Sequence, residues 1–319
     1  MTTRPTLLVT RRIFPEVIEA LQAHFDVASN QEDAEWSREE LLERARDRDA
    51  LLVAASDRVD AALIGACPAL KIVATGSVGY NHVDTKACAA RGIVVANTPD
   101  VLNEATADMA WTLLMAAARR VSESERWLRA GQWKRWAFDQ FLGADVHGST
   151  LGIVGMGRIG SAVARRARGF DMRVIYNNRS AAPNEAELGA ERVELDALLE
   201  RADHVVLVLP YSPATHHLVG ERELARMKPG ATLVNIARGG IVDDAALARA
   251  LAAGRPAAAG LDVYENEPAL HPALLELPNV VLTPHIGSAT RSSRLGMAML
   301  AARNLVAFAR GEPLPSPVR

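Results

Sequence analysis

Along the first hundred residues, short apolar runs alternate with segments whose hydrophobic positions recur every three or four residues. The runs 6–10, 51–55, 71–75 and 92–96 (TLLVT, LLVAA, KIVAT, GIVVA) show no polar–apolar alternation. Between them, 15–24, 37–46 and 84–90 carry helical patterns. A strand that does not alternate is buried on both faces, so this pattern predicts a small parallel sheet covered by helices. A break at Asn97-Thr98-Pro99-Asp100 precedes helical patterns over 103–120 and 122–130. From Gly148 to about Gly287 the alternation resumes, with strands predicted at 151–154, 173–176, 205–209, 232–236, 258–263 and 280–283. Helical patterns at 196–201, 221–226 and 243–252 separate several of them, and a last apolar-periodic helix, 293–310, is predicted to return to the first sheet.

The second series opens on LGIVGMGRIG (151–160), which reads as strand, G-x-G-x-x-G, then a helix starting near Arg158. Gly155 allows the tight turn, Gly157 lets backbone approach a pyrophosphate, and Gly160 lets the helix pack on the sheet. Amides at the helix start, helped by its dipole, face the phosphates. The spacing alone also fits a plain loop. The strand before, the helix after and the next strand at 173–176 complete a βαβ unit and favour a dinucleotide site. A site selective for NADH carries a carboxylate at the end of the second strand, about 20 residues past the glycines. Here that strand ends YNNRS (176–180), without an acid. Arg179 can hold a 2′-phosphate bidentately, and Asn178 and Ser180 can add hydrogen bonds, so NADPH (NADP+) is expected over NADH. The alternative is an exposed turn with a solvated arginine.

Composition narrows the class. The 319 residues are 49% hydrophobic and 23% charged, with a formal net charge of −2. That balance argues against a nucleic-acid or anionic-membrane partner. Cys67 and Cys88 have no metal-ligand spacing and no disulfide framework. The apolar run 109–118 is too short to span a bilayer, and the N-terminus runs directly into a strand, so a cytoplasmic protein without a metal is expected.

Four further stretches carry candidate chemistry. The loop GSVGYNHVD (76–84) follows a parallel strand, where such sheets bind ligands; the amides of Val78 and Gly79 could face a carboxylate, or the glycines could serve only the turn. His82 and Asp84 read as loop and helix-cap residues. NIARGGIVD (235–243), AGLDVYENEP (259–268) and TPHIGSAT (283–290) each end a late strand. An arginine, a carboxylate and an imidazole gathered there suit reduction of a 2-oxo acid. The arginine holds the substrate carboxylate, and the histidine, kept protonated by the acid, protonates the carbonyl oxygen. Separately, GQWKRWAF (131–138) places Trp133, Trp136 and Phe138 close together, as a packed arm, a subunit interface or a local core cluster.

These motifs, with LPYSPATHHL (209–218), resemble the D-isomer-specific 2-hydroxyacid dehydrogenases over nearly the whole chain. DVHGSTLGIVGMGRIG and the acid-free YNNRS are most similar to the bacterial glyoxylate/hydroxypyruvate reductases that also act on 2-ketogluconate. The resemblance implies an α/β fold of two doubly wound parallel-sheet domains. A Rossmann-type NAD(P)-binding domain (101–286) is inserted into a flavodoxin-like substrate-binding domain (1–100 and 287–319), with hinges near 99–103 and 286–290. It implies Arg238, Glu267 and His285 as catalytic, with Glu265 the competing acid, and Val78, Gly79, Arg238 and His285 around the substrate. Cofactor contacts are implied at Thr106, Met156, Arg158, Ile159, Leu209, Pro210, Thr215, Ile236, Arg238, Asp262, His285 and Gly287. Thr106 fits the family pattern least closely, because its helix reads Ala-Thr-Ala-Asp. A tryptophan matching Trp136 reaches into a partner's pocket in related reductases, which implies a homodimer. The competing readings are an NADH-dependent phosphoglycerate or D-lactate dehydrogenase and a non-enzymatic, dinucleotide-sensing corepressor.

Overall fold

The apolar runs form parallel strands, and each of two units has its own sheet. The computed structural model describes residues 4–318, and the chain divides into Met1–Leu102 with Ala289–Arg319, and Asn103–Ser288. In the first unit, β1 (Thr6–Val9), β2 (Asp26–Ser29), β3 (Ala50–Val53), β4 (Ile72–Thr75) and β5 (Val94–Ala96) lie in the order β2-β1-β3-β4-β5, all parallel. This is the flavodoxin-like order. Successive strand residues point to opposite faces. Thus Leu8, Leu51 and Val73 pack with Leu63 and Ile64, while Leu7, Leu52 and Ile72 pack with Val17 and Leu21. Both faces are core, which is why these strands read as unbroken apolar runs.

The helix Arg291–Ala309 lays Ala298, Ala301, Ala302 and Leu305 on the second of those faces, as its periodicity predicts. Its buried Asn304 exchanges hydrogen bonds with Ser316, and Val318 donates to Val95 at the edge of the sheet. Residues 316–318 are thereby tied to β5 and to the last helix.

The second unit holds β6 (Thr150–Val154), β7 (Arg173–Asn177), β8 (Ala190–Arg192), β9 (His204–Leu207), β10 (Thr232–Asn235), β11 (Ala258–Leu261) and β12 (Val280–Leu282). Their order, β12-β11-β10-β9-β6-β7-β8, is parallel throughout. Counted from β6 it is the Rossmann order with a seventh strand added, and its direction of winding reverses between β6 and β9. Val205, Leu207 and Leu233 face one core, and Val206, Val234 and Ile153 the other. Full burial of such a side chain is worth about 1.5–3 kcal/mol.

Sequence pattern predicts six strands here, but the structure has seven, and β2 was likewise missing from the first series. Both omissions are edge strands. The residues of β2 and β8 are exposed or half-buried, so no apolar run marks them, and they exist because β1 and β7 offer a ladder. Among the described residues no helix is long and apolar enough to cross a membrane. The aromatic segment after the helix Val121–Arg129 has neither helix nor strand. It is not a local core cluster: Trp136 is 65% exposed and Phe138 89%, their rings meeting edge to face.

Candidate active site

The glycine-rich turn leaves β6 and enters the helix Arg158–Ala167. An added Cβ at Gly160 would lie 2.2 Å from the carbonyl oxygen of Gly155, so only glycine lets the helix approach the turn this closely. No side chain caps this helix, which leaves its first-turn amides for an anionic ligand. Those open amides and the close-packed turn fit a dinucleotide. Met156 is buried, Ile159 half-buried and Arg158 exposed.

At the end of β7, Asn178 has a different task from the one its sequence position suggests. Its Oδ1 accepts from the Met156 amide at 2.7 Å and its Nδ2 donates back to the Met156 carbonyl at 3.3 Å. It ties the strand end to the glycine turn, leaving Arg179 and Ser180, both exposed, as the groups at the rim. On the other side of the winding reversal, Leu209 and Pro210 lead into a turn. There Thr215 accepts from the Ser212 amide at 2.8 Å and donates to the Pro210 or Ser212 carbonyl, each at 3.1 Å.

Three late strands deliver the candidate reactive groups. Asn235, the last residue of β10, braces the turn that follows: it accepts from the Ala237 amide at 3.1 Å and donates to the Arg238 carbonyl at 3.2 Å. Arg238 donates to the Ala237 carbonyl at 2.7 Å. Burial pulls its guanidinium below the usual arginine range, and the negative charge of Glu267 opposes that pull. After β11, Asp262 is buried and its carboxylate accepts from the Thr283 hydroxyl at 2.7 Å and from the amides of Ile286 and Gly287 at 2.8 and 2.7 Å. Those bonds shape the loop after β12, where His285 sits in left-handed backbone with φ +52°. His285 Nδ1 meets Glu267 Oε2 at 2.7 Å, and the Tyr264 amide donates to Glu267 Oε1 at 2.9 Å. Burial would raise the Glu267 carboxyl, but the His285 hydrogen bond and charge, the Tyr264 amide and Arg238 hold it below the usual carboxylate range.

The spacing of these loops is set sterically. A Cβ on Gly239 would stand 1.6 Å from the Tyr264 carbonyl oxygen, because the Tyr264–Glu265 peptide lies directly on Gly239. The residue next to Arg238 thus touches the backbone that leads to Glu267. Asp244 reinforces the same loop by accepting from the Glu265 amide at 3.1 Å. Sequence reading missed Asn235, Gly239 and Asp244; all lie in or beside a quoted motif, but Asn235 acts on the backbone of its own turn and Gly239 and Asp244 on another strand's loop. Arg238, Glu267 and His285 are brought together. Thr106 and Gly287 are also neighbours: a Cβ on Gly287 would meet the Thr106 methyl at 3.6 Å.

In the other unit, the loop after β4 is held by Thr75, Ser77 and His82, joined by hydrogen bonds of 2.8 and 2.9 Å at Thr75 Oγ1, and by Asn97, which donates to the Val78 carbonyl at 2.7 Å. The amides of Val78 and Gly79 make no hydrogen bond among the described residues. Asp84 caps the next helix through the Ala87 amide at 2.9 Å, the role its position predicts.

Residues 111–287 match the profile of the D-isomer specific 2-hydroxyacid dehydrogenase NAD binding domain. The chain is 52% identical to the glyoxylate reductase of Thermococcus onnurineus, across 98% of this chain and 95% of that one. The chain belongs to the D-isomer specific 2-hydroxyacid dehydrogenases. It is an NAD(P)-dependent oxidoreductase acting on 2-hydroxy acids, in the branch whose relatives are called glyoxylate reductase. Solved structures agree over the full length. A glyoxylate reductase from Paecilomyes thermophila has a TM-score of 0.90 at 38% identity, covering 100% of this chain and 99% of that one. An NADPH-dependent glyoxylate/hydroxypyruvate reductase from Sinorhizobium meliloti, in complex with NADP and malonate, has a TM-score of 0.88 at 37% identity, covering 99% and 97%.

Proposed function

We propose that this dehydrogenase reduces small 2-oxo acids, glyoxylate first and hydroxypyruvate and 2-ketogluconate with it, to D-2-hydroxy acids with NADPH. The nicotinamide dinucleotide, when bound, supplies the hydride. Arg238 binds the substrate carboxylate and polarises the carbonyl, its positive charge supported by Glu267 against the cost of burial. His285, with Nδ1 on Glu267, gives the proton on Nε2 to the carbonyl oxygen, and Glu267 stabilises the imidazolium before that transfer. In the other unit, the amides of Val78 and Gly79 are open to a carboxylate. Gly155, Met156, Gly157, Arg158, Ile159 and Gly160 would hold the dinucleotide, together with Thr106, Leu209, Pro210, Thr215, Ile236, Asp262 and Gly287. Arg179 and Ser180 receive the 2′-phosphate, on the turn that Asn178 secures.

The convergence of Arg238, Glu267 and His285 carries this reading. Its test is a panel of glyoxylate, hydroxypyruvate and 2-ketogluconate with each cofactor. Oxidation of NADPH with glyoxylate at kcat/KM well above that for NADH is expected. Protein that binds NADPH but oxidises it with none of the three would overturn the reading in favour of a sensor. Arg179→Asp should cost NADPH about 10- to 100-fold in kcat/KM and NADH little, because the variant removes charge-assisted hydrogen bonds and adds repulsion. Equal losses would remove the phosphate role from Arg179. The exposed Trp133, Trp136 and Phe138 support a homodimer, in which Trp136 reaches the partner's substrate site. Sedimentation as a monomer at micromolar concentration would refute that assembly.

A further inference from the structure

We propose that Arg192 is a second determinant of 2′-phosphate recognition beside Arg179; the inference rests on the NADPH reading above. Arg192 ends β8, the edge strand that the apolar pattern does not mark, and is registered opposite Tyr176 of β7. Its guanidinium crosses the end of β7: Nε donates to the Asn178 carbonyl at 3.1 Å and Nη2 to the Arg179 carbonyl at 3.0 Å. Arg192 thus lies against the backbone of the turn from which the Arg179 side chain departs.

The charges around this turn are unbalanced. Elsewhere in the unit, Arg201 is paired with Glu191, Arg166 with Glu104 and Asp108, and Arg222 with Asp196 and Glu223. Arg179 and Arg192 make no ion pair among the described residues, and Glu185 accepts from the Tyr176 hydroxyl. Two cations on one turn without a counterion repel each other, and a dianion placed between them relieves that repulsion. Arg192 uses two of its five N–H donors on the carbonyls, so three are left for phosphate oxygens. A ribose 2′-hydroxyl gains none of this attraction, so the arrangement discriminates between the two cofactors.

The test is calorimetric titration of wild type, Arg192→Met, Arg192→Lys and Arg179→Met with adenosine 2′,5′-bisphosphate and with 5′-AMP. Arg192→Met should weaken the bisphosphate about 5- to 10-fold and 5′-AMP less than about twofold, as expected for loss of one charge-assisted contact. Arg192→Lys should recover part of the loss, and the salt dependence of bisphosphate binding should flatten in Arg192→Met. Retained binding of 5′-AMP reports an intact dinucleotide bed. An equal loss for both ligands would make Arg192 only a brace for the turn, and no loss for either would remove it from the site; both outcomes overturn the proposal while leaving the NADPH reading standing. Wild type that binds the two ligands equally would overturn that reading, and this proposal with it.

Discussion

Glu265 and Glu267 stand two residues apart on the loop after β11, and each holds a histidine: His217 at 2.9 Å and His285 at 2.7 Å. By distance alone the two couples are equivalent, and either glutamate could be the acid partner on sequence grounds. Their surroundings separate them. Glu267 also takes the Tyr264 amide and lies in the field of Arg238. Glu265 has its amide tied to Asp244, and its histidine is stacked on His216 at 3.9 Å, which in turn meets the Tyr211 hydroxyl. A proton donor for carbonyl reduction needs a cation beside it to bind the substrate anion, and only the couple at 267 lies in the field of Arg238. An imidazole–carboxylate bond is therefore a poor signature of a reaction site by itself; the third group decides.

Mutations can break this contrast. The largest effect is expected from His285→Ala, which should lower kcat by about 10²–10⁴-fold while cofactor Kd stays within about twofold. His217→Ala should change kcat by less than about threefold. Single-turnover rates read the difference, and equal losses would make the two couples interchangeable. Glu267→Gln should cost about 10²-fold in kcat, because the amide no longer stabilises the imidazolium. Glu265→Gln should fall within a few-fold of wild type, and a larger loss would mean that the outer couple also acts on the reaction.

Gly239→Ala tests the steric spacing between Arg238 and Glu267. The clash is with backbone, which cannot rotate away, so a loss of about 2–3 kcal/mol in unfolding free energy is expected. An unchanged denaturation midpoint would mean that the loops part without cost. The smallest effects are electrostatic. His204 is fully buried in β9, and burial lowers its pKa despite the Asp145 carbonyl that its Nε2 meets at 3.1 Å. Below about pH 6.5 the unfolded chain therefore takes up a proton that the folded protein refuses. Stability should decline as pH falls from that point, by at most about 1.4 kcal/mol per pH unit, until the folded state is protonated too. His204→Asn should flatten this slope in urea melts across pH 5–7 (roughly the interval where histidine titrates). The Glu267 contribution has its own window: it is present above the ordinary glutamate pKa and lost as pH falls through the lower folded value.

Much of this is legible in the sequence. Strands buried on both faces announce themselves, because burial on both sides leaves no polar position, and β3, β4, β6 and β9 are of that kind. Gly160, Arg238 and His285 could be singled out because each sits in a short motif at the end of a strand, whereas Glu267 is preferred to Glu265 only through the family resemblance. The edge strands β2 and β8 could not, since their residues are exposed or half-buried and no apolar run marks them, unlike the edges β5 and β12. Position alone points Asn178 at a ligand, whereas its side chain serves the Met156 backbone. A short polar side chain at a strand end satisfies whichever backbone group comes near, and that is not written in its neighbours along the chain.

The order of apolar runs, glycines and charged residues was sufficient for two parallel α/β sheets, a dinucleotide turn and a set of candidate side chains, because those depend on local spacing and on which faces must be dry. Which glutamate meets which histidine, why residue 239 must be glycine, and that Arg192 lies against the turn after β7 depend on loops from different strands meeting in space. Those contacts join residues 13 to 48 positions apart, and long-range packing alone determines them.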